Sequence, residues 1–278
     1  MSLVLDKNDP IWAPLAAALS NAALENHLNI AYSGGFDSRF LAFCAKALGF
    51  EVTLWHVTGP HIPQQETQDA LERAKEMALT VKLVPADPTR ISDFVSAGRK
   101  RCYACKRAVF STLLAMIEGD LCDGTNATDT FQYRPGEKAL KELGVHSPWR
   151  EGGYEKVRMR KIAATLGFPA PDQPSRPCLM TRFPYGMQPR RDLMALATTV
   201  ECGLLKRYPK VALRCRFPDG LTPVVHVERA SIRGLDEAAF LSELEEEIIR
   251  VSGISIPVEV HDVLSGYFDR IPQPIIPL

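Results

Sequence analysis

A six-residue segment near the N-terminus has the residue types and the spacing needed to bind phosphate. The segment reads Ser33-Gly34-Gly35-Phe36-Asp37-Ser38. It follows an apolar run over residues 28–32 that suits a buried strand, and the apolar residues after it recur at helical spacing. Glycines at such a strand-to-helix turn let the backbone approach a ligand closely. The free N–H groups and the positive dipole end of the helix then form an anion site.

Side chains of the same segment add donors and a candidate metal ligand. Ser33 and Ser38 contribute hydroxyl groups, and the Asp37 carboxylate is predicted to hold Mg²⁺ beside a bound phosphate. A simple capped helix after a glycine turn is the alternative interpretation. The complete hexapeptide favours phosphate binding. It is neither the Walker-type loop nor the Gly-x-Gly-x-x-Gly loop of dinucleotide-binding proteins.

Strand-like and helix-like segments alternate through the first two thirds of the chain. The predicted strands after the loop span residues 51–58, 80–84 and 121–122, and the predicted helices span residues 65–78, 106–117 and 155–166. Alternation of this kind predicts an α/β fold with a doubly wound parallel sheet. Ligands bind at the carboxyl ends of strands in such sheets, where the hexapeptide falls.

A proline-rich passage over residues 168–189 interrupts this pattern and is the predicted hinge between two domains. We place the domains at residues 1–185 and 186–278. The second, smaller domain is predicted to be α+β in the order α-β-β-α-β, with elements near residues 191–205, 211–217, 223–228, 235–251 and 256–260. The last dozen residues are predicted to form a docked tail.

The bulk properties describe an ordinary globular protein. The chain has 278 residues, and its 33 basic and 33 acidic residues give a net charge of zero, which argues against a large nucleic-acid footprint. Because there is no signal-like N-terminus and no run of about 18 apolar residues, we expect a soluble, cytoplasmic protein. Its seven cysteines are then free thiols or metal ligands.

Three of these cysteines form a pattern that suggests chemistry. Cys102 and Cys105 form a C-x-x-C motif flanked by basic residues, and Cys178 lies in a separate proline-rich segment. The motif is compatible with half a zinc site, a redox dithiol or part of an iron–sulfur site, and also with simple unliganded thiols. Two close cysteines and one distant cysteine suit a 4Fe–4S cluster with one open iron. The other four, Cys44, Cys122, Cys202 and Cys215, are predicted to be small core residues.

Two arginines of the second domain are spaced for binding phosphate. Arg214 and Arg216 lie in the predicted strand over residues 211–217 and share the face opposite its apolar residues. Two guanidinium groups about 7 Å apart on one face can grip a phosphate. A solvated polar face of an edge strand is the alternative.

The hexapeptide resembles the pyrophosphate loop of the PP-loop ATP pyrophosphatases, which reads Ser-Gly-Gly-x-Asp-Ser. The resemblance implies a PP-loop domain that adenylylates a substrate oxygen, binds the departing pyrophosphate, and lets a nucleophile displace AMP. Further motifs resemble the LarE-type ATP-dependent sulfur transferases, in the branch that has three cysteines and a cluster. They are Arg101 to Lys106, Asp123 to Asp129, Tyr133 to Gly136, Ser147-Pro148, Lys156 with Arg160, Asp172, and Cys178 to Gly186. The C-terminus departs from that family, because Gly266-Tyr267-Phe268-Asp269-Arg270 stands where the family has Gly-Tyr-Arg-Ser-Gly-Ser.

The resemblance implies thiolation of pyridinium-3,5-biscarboxylic acid mononucleotide during synthesis of a nickel-pincer cofactor, with ATP, Mg²⁺ and a 4Fe–4S cluster. It implies catalytic roles for Cys178, Arg182, Asp37 and Glu201. It implies nucleotide or substrate binding by Ser33, Gly34, Gly35, Asp37, Ser38, Gly124, Asn126, Asp129, Arg214 and Arg216. Cys102, Cys105 and Cys178 would hold the cluster. If no cluster forms, Cys178 gives up its own sulfur.

The expected partners are a small-molecule mononucleotide, a sulfur-donor protein or sulfide, and further copies of the chain, with no nucleic acid and no membrane. Alternatives within the PP-loop family are tRNA thiolation and an amidating synthetase that uses ammonia. A nucleotide sensor without chemistry is the alternative from another class.

Overall fold

The structure is a computed structural model that describes residues 3–91, 93–128 and 135–270. The chain divides into two compact units. The first unit comprises residues 1–59, 64–91 and 102–176, and the second comprises residues 60–63, 92–101 and 177–278.

The first unit is built from alternating strands and helices. Its strands are β1 (His27–Ala31), β2 (Glu51–Thr58), β3 (Thr80–Pro85) and β4 (Leu121–Cys122). Its helices are α1 (Ala13–Ala22), α2 (Phe36–Ala47), α3 (Gln64–Glu76), α4 (Arg101–Leu114), α5 (Pro135–Glu142), α6 (Pro148–Glu151) and α7 (Lys156–Thr165). The described strands pair in parallel in the order β3-β2-β1-β4. This confirms the predicted parallel sheet flanked by helices.

Burial explains why β1 is central in this sheet. Leu28 and Ile30 are fully buried, and they belong to a core that includes aromatic residues of α2 such as Phe40. The polar Asn29 is buried between them, where its side-chain oxygen accepts a hydrogen bond of 2.9 Å from the Trp55 indole of β2. A buried polar side chain needs such a partner. The strand therefore fixes the position of the loop that follows it.

The second unit contains a small mixed sheet and two long helices. It comprises α8 (Arg191–Arg207), β5 (Leu213–Arg216), β6 (Val224–Glu228), α9 (Glu237–Ser252), β7 (Val258–His261) and the short α10 (Tyr267–Arg270). β6 pairs antiparallel with β5 and parallel with β7. The predicted order α-β-β-α-β is confirmed, although β5 is shorter than the predicted strand over residues 211–217. Most of the predicted C-terminal tail, residues 271–278, lies outside the described residues.

Among the residues that the structure describes, none of the helices has the length and apolar character needed to cross a membrane.

Candidate active site

The hexapeptide lies at the carboxyl end of β1, as its sequence predicts. The chain leaves the strand after Ala31, turns at Gly34 and enters α2 at Phe36, with Gly35 immediately before the helix. Gly34 has a φ of +74°, and a Cβ atom on it would lie 2.6 Å from the Cβ of Ala70. A larger residue at position 34 would therefore have a strained backbone and would collide with Ala70, so glycine is required there.

The two serines of the loop contact each other across the turn. The Oγ atoms of Ser33 and Ser38 lie 3.1 Å apart, and the Ser33 amide donates to Ser38 Oγ at 3.2 Å. The Gly35 amide donates to Ser33 Oγ at 3.3 Å. These contacts hold both hydroxyl groups beside the first turn of α2, where backbone N–H groups lack helical partners. The arrangement presents hydroxyl and amide donors to an anion.

Asp37 in the first turn of α2 is held by groups from three other segments. Lys156 Nζ lies 2.8 Å from Asp37 Oδ2, and Asn126 Nδ2 donates to Asp37 Oδ1 at 3.4 Å. The Trp149 indole donates to the Asp37 carbonyl oxygen at 3.1 Å. The ion pair is about one quarter to one third exposed, so both charges remain accessible from solvent. A carboxylate and an ammonium group thus lie together at the predicted phosphate site.

The segment after β4 packs directly against the loop helix. A Cβ atom on Gly124 would lie 2.9 Å from the Ser38 amide nitrogen, so the backbone of this segment approaches α2 too closely for any side chain there. The Asp123 carboxylate accepts from Ser147 Oγ at 2.7 Å and from the Thr125 amide at 3.1 Å. Gly124 and Asn126 therefore lie beside the loop, their contact with a nucleotide stays a prediction, and Asp129 lies outside the described residues.

Lys156 is a residue whose role at the site was not predicted from its motif. It is the first residue of α7, where a positive charge opposes the helix dipole. Its amide donates to Thr128 Oγ1 at 3.0 Å, which ties the helix start to the segment after β4. The cation therefore stands at an unfavourable helix position and points at Asp37. The unfavourable charge at a predicted helix start was the sequence signal that could have identified it.

The C-x-x-C cysteines lie within a helix. α4 begins at Arg101, five residues before the predicted start at 106, so Cys102 and Cys105 fall in its first turns with a spacing that places them on one face. Both are half-buried cysteines of the first unit. Cys178 is also half-buried and free, and it belongs to the second unit, immediately before a 3₁₀ turn at Leu179–Arg182.

The remaining cysteines differ in burial. Cys44, Cys122 and Cys215 are buried, as predicted for core residues, and burial raises the pKa of each thiol. The prediction for Cys202 is wrong, because it is only half-buried and lines an open groove between α8 and α9. Three of the four are thus poor candidates for thiolate chemistry.

Arg182 and Glu201 form a buried ion pair in the second unit. Arg182 Nε donates to Glu201 Oε1 at 2.6 Å, and Arg182 Nη2 donates to Oε2 at 2.8 Å, which is a two-point contact. The Cys215 amide of β5 also donates to Glu201 Oε1 at 2.8 Å. The Arg182 and Glu201 side chains are only 3% and 11% exposed. Glu201 therefore fixes the Arg182 guanidinium and anchors β5 to α8.

The turn that follows Cys178 is held by Arg101, a buried residue beside the C-x-x-C motif. Its guanidinium donates to the carbonyl oxygens of Met180 at 2.7 Å, Pro184 at 3.0 Å and Phe183 at 3.2 Å. The Tyr185 ring stacks 4.8 Å from the same guanidinium carbon. Arg101 thereby fixes the backbone shape of the segment that carries Cys178 and Arg182.

Arg214 and Arg216 lie on the sheet face opposite the buried side chains of Leu213 and Cys215, as predicted. Arg216 is buried, and its guanidinium contacts His226 Nδ1 at 2.9 Å and the Leu264 carbonyl oxygen. Burial, together with the charges of Arg182 and Arg214, lowers the pKa of Arg216 to about 9. Arg214 is half-buried. The face thus carries concentrated positive charge, with Arg214 the more accessible of the two.

No family model matches the chain. It is similar to an uncharacterized protein of Synechocystis sp., with 29% identity over 87% of this chain and 91% of that protein. It is also similar to an uncharacterized protein of Methanocaldococcus jannaschii, with 30% identity over 80% of this chain and 82% of that protein. A third relative is the pyridinium-3,5-bisthiocarboxylic acid mononucleotide synthase of Lactiplantibacillus plantarum, with 28% identity over 68% of this chain and 70% of that protein.

The structure has a parallel α/β sheet in its first unit, with a glycine-containing loop at the end of β1 where hydroxyl and amide groups converge. The chain's likeness to the archaeal protein places it in the same family, and its similarity to the synthase makes this a LarE-like family.

Proposed function

We propose that the protein is an ATP-dependent sulfur transferase that adenylylates a substrate carboxylate and replaces one of its oxygens with sulfur. The observation that carries the proposal is the loop from Ser33 to Ser38, with the Asp37–Lys156 ion pair at its helix start. The name of the L. plantarum relative supports the same chemistry, because a bisthiocarboxylic acid mononucleotide is a product in which carboxylate oxygens have been replaced by sulfur. The proposed substrate is pyridinium-3,5-biscarboxylic acid mononucleotide.

In the first step, a carboxylate oxygen of the substrate attacks the α-phosphorus of ATP, and the bond to pyrophosphate breaks. The amide and hydroxyl donors of the loop bind the departing pyrophosphate. Asp37 offers the hard oxygen ligand that Mg²⁺ prefers. Bound Mg²⁺ would neutralise phosphate charge.

In the second step, a sulfur nucleophile attacks the acyl carbon, and AMP leaves with the original carboxylate oxygen. Where no cluster is bound, this nucleophile is Cys178, and loss of its α-proton with cleavage of its Cβ–S bond then releases the thiocarboxylate and leaves dehydroalanine in the chain. Arg182, held by Glu201, would stabilise negative charge near the sulfur.

The three-cysteine set also supports the proposal of an iron–sulfur cluster. Thiolate is the ligand that such clusters take, and Cys102 and Cys105 are half-buried cysteines on one helix face. A bound 4Fe–4S cluster would supply sulfide as an alternative source of sulfur. In that case Cys178 is the third ligand and is not consumed.

The cluster is tested by preparing the protein without oxygen and recording its visible spectrum. Wild type is expected to show the brown absorption of a 4Fe–4S cluster, and Cys102→Ala is expected to lose it, while the control Cys202→Ala retains it. A colourless wild-type protein would contradict the cluster. If its intact mass also shows the loss of one sulfur atom after turnover, the result would support consumption of Cys178.

The substrate phosphate is proposed to bind at Arg214 and Arg216. The support is their shared sheet face and the concentrated positive charge there. Guanidinium groups bind phosphate through paired N–H donors.

The proposed activity is tested by incubating the protein with ATP, Mg²⁺ and the biscarboxylate mononucleotide. We expect equal release of AMP and pyrophosphate, and a product whose mass reports exchange of oxygen for sulfur. Unmodified tRNA and ammonia are run as alternative acceptors. Thiolated tRNA or an amide product, with no reaction on the mononucleotide, would contradict the proposal.

Replacing Lys156 with alanine is expected to lower kcat/KM for pyrophosphate release by about 10²-fold, the size of effect seen when one preorganised charge-stabilising donor is removed. The reason is that Lys156 lies 2.8 Å from Asp37, within reach of a phosphate bound at the loop. Lys156→Arg should keep most of the activity. Lys161→Ala, an exposed residue of the same helix, is the control. Equal activity of the two alanine variants would exclude a role for Lys156.

A further inference from the structure

The polar face of the small sheet carries a cluster of two histidines and one carboxylate. His226 on β6 lies directly opposite Glu259 on β7, and His261 follows two residues later on β7, on the same face. Glu259 Oε2 lies 3.1 Å from His261 Nε2 and 3.5 Å from His226 Nε2. One ligand atom from each residue lies within 4.8 Å of the others. Three groups that bind transition metals therefore converge.

The separations between these atoms suit a tetrahedral metal ion. Ligands at zinc-like bond lengths of 2.0–2.2 Å stand about 3.3–3.6 Å apart at tetrahedral angles. The separation of 3.5 Å lies within this range, and the separation of 3.1 Å lies slightly below it. We propose that His226, Glu259 and His261 form a binding site for a divalent transition-metal ion, with a fourth position left for solvent or a ligand. Two imidazoles and a carboxylate suit zinc, cobalt and nickel ions.

The environment of His226 is a second, independent observation for this site. The residue is fully buried, and its Nε2 atom has no hydrogen-bond partner among the described residues. A buried polar atom without a partner costs about 1–3 kcal/mol, so natural proteins rarely leave one unexplained. Nε2 is the atom that faces Glu259. With its proton moved to Nδ1, Nε2 would be satisfied by a metal ion, and the part-exposed Glu259 and His261 side chains leave the site open to solvent.

Arg216 connects the proposed metal site to the sheet face that carries Arg214 and Arg216. Arg216 Nη1 is a donor and lies 2.9 Å from His226 Nδ1, so in the metal-free protein Nδ1 accepts and Nε2 carries the proton. A metal on Nε2 requires the proton on Nδ1 instead, where it would face the N–H of Arg216. Metal binding and the Arg216–His226 hydrogen bond therefore exclude each other. Metal binding is expected to release Arg216 Nη1 from His226. The Arg216 guanidinium carbon lies 4.8 Å from the centre of the Tyr267 ring.

Cobalt(II) binding to the reduced protein without substrate tests the site, and this measurement does not depend on the proposed activity. Thiolate–cobalt complexes give an intense ultraviolet charge-transfer band that imidazole and carboxylate complexes lack, so the cysteines are distinguished from this cluster. We expect wild type to bind one equivalent of cobalt without the thiolate band. His261→Ala and Glu259→Gln should each bind that equivalent at least about tenfold more weakly.

His146→Ala is the matched control, because His146 is equally exposed and also lies between two carboxylates, Asp120 and Glu151. Unchanged cobalt binding in His261→Ala, or cobalt bound only with the thiolate band, would overturn the proposed site.

Arg216→Gln tests the coupling. Its amide oxygen can accept a hydrogen bond from His226 Nδ1–H, which stabilises the metal-binding tautomer, so cobalt affinity is expected to rise by about tenfold. Unchanged or weaker binding, with the fold confirmed by circular dichroism, would overturn the coupling.

Discussion

Replacing Cys178 with serine is expected to abolish sulfur transfer while ATP is still cleaved to AMP and pyrophosphate. Serine has nearly the same size as cysteine but carries no sulfur, and the groups proposed to act on the α-phosphate lie at the loop from Ser33 to Ser38. Loss of an essential nucleophile lowers turnover by several orders of magnitude, so formation of the thiocarboxylate should fall by at least about 10³-fold. Product is followed by mass spectrometry, and pyrophosphate by a coupled assay.

Cys202→Ser is the matched control, because Cys202 is another half-buried cysteine of the same unit. It is expected to transfer sulfur as wild type does. If Cys178→Ser forms the thiocarboxylate at a rate close to that of wild type, Cys178 neither supplies sulfur nor holds its source.

Replacing Glu201 with glutamine is expected to lower the free energy of unfolding by about 3–5 kcal/mol, the usual cost of leaving one partner of a buried ion pair alone. Arg182 would remain charged, with its Nε and Nη2 donors facing a neutral amide. The Cys215 amide of β5 would also lose a carboxylate acceptor. Urea unfolding monitored by circular dichroism measures the change.

Glu245→Gln, an exposed substitution on α9, should change stability by less than about 0.5 kcal/mol. In the double variant Arg182→Met/Glu201→Leu, part of the loss should be recovered, because apolar replacement removes both buried charges. A Glu201→Gln protein as stable as wild type would show that the pair is not held as the structure describes it.

The position of the loop from Ser33 to Ser38, between a strand and a helix, could be predicted from the sequence because its signals are local. The glycines at 34 and 35, the apolar run before them and the helical spacing after them lie within about 20 consecutive residues. Local turn chemistry and periodicity determine such an element. The predicted strands and helices occur in the predicted order in both units for the same reason, although α1, α5 and α6 of the first unit were not predicted.

Contacts between distant residues could not be read in this way. Nothing local indicates that Lys156 lies at Asp37, 119 residues away, or that Arg101 holds carbonyl groups near residue 180. His226, Glu259 and His261 are ordinary strand residues in the sequence, and only the register between β6 and β7 brings them together. Burial of Cys202 was mispredicted because helical spacing alone does not show that the groove between α8 and α9 is open.

The most direct test of carboxylate activation uses a substrate whose carboxylate carries heavy oxygen. Because the carboxylate oxygen attacks the α-phosphorus and leaves with AMP, one labelled oxygen per turnover should appear in AMP, together with a thiocarboxylate that has lost that oxygen. AMP without label, or ADP as the nucleotide product, would contradict activation of the carboxylate by adenylylation.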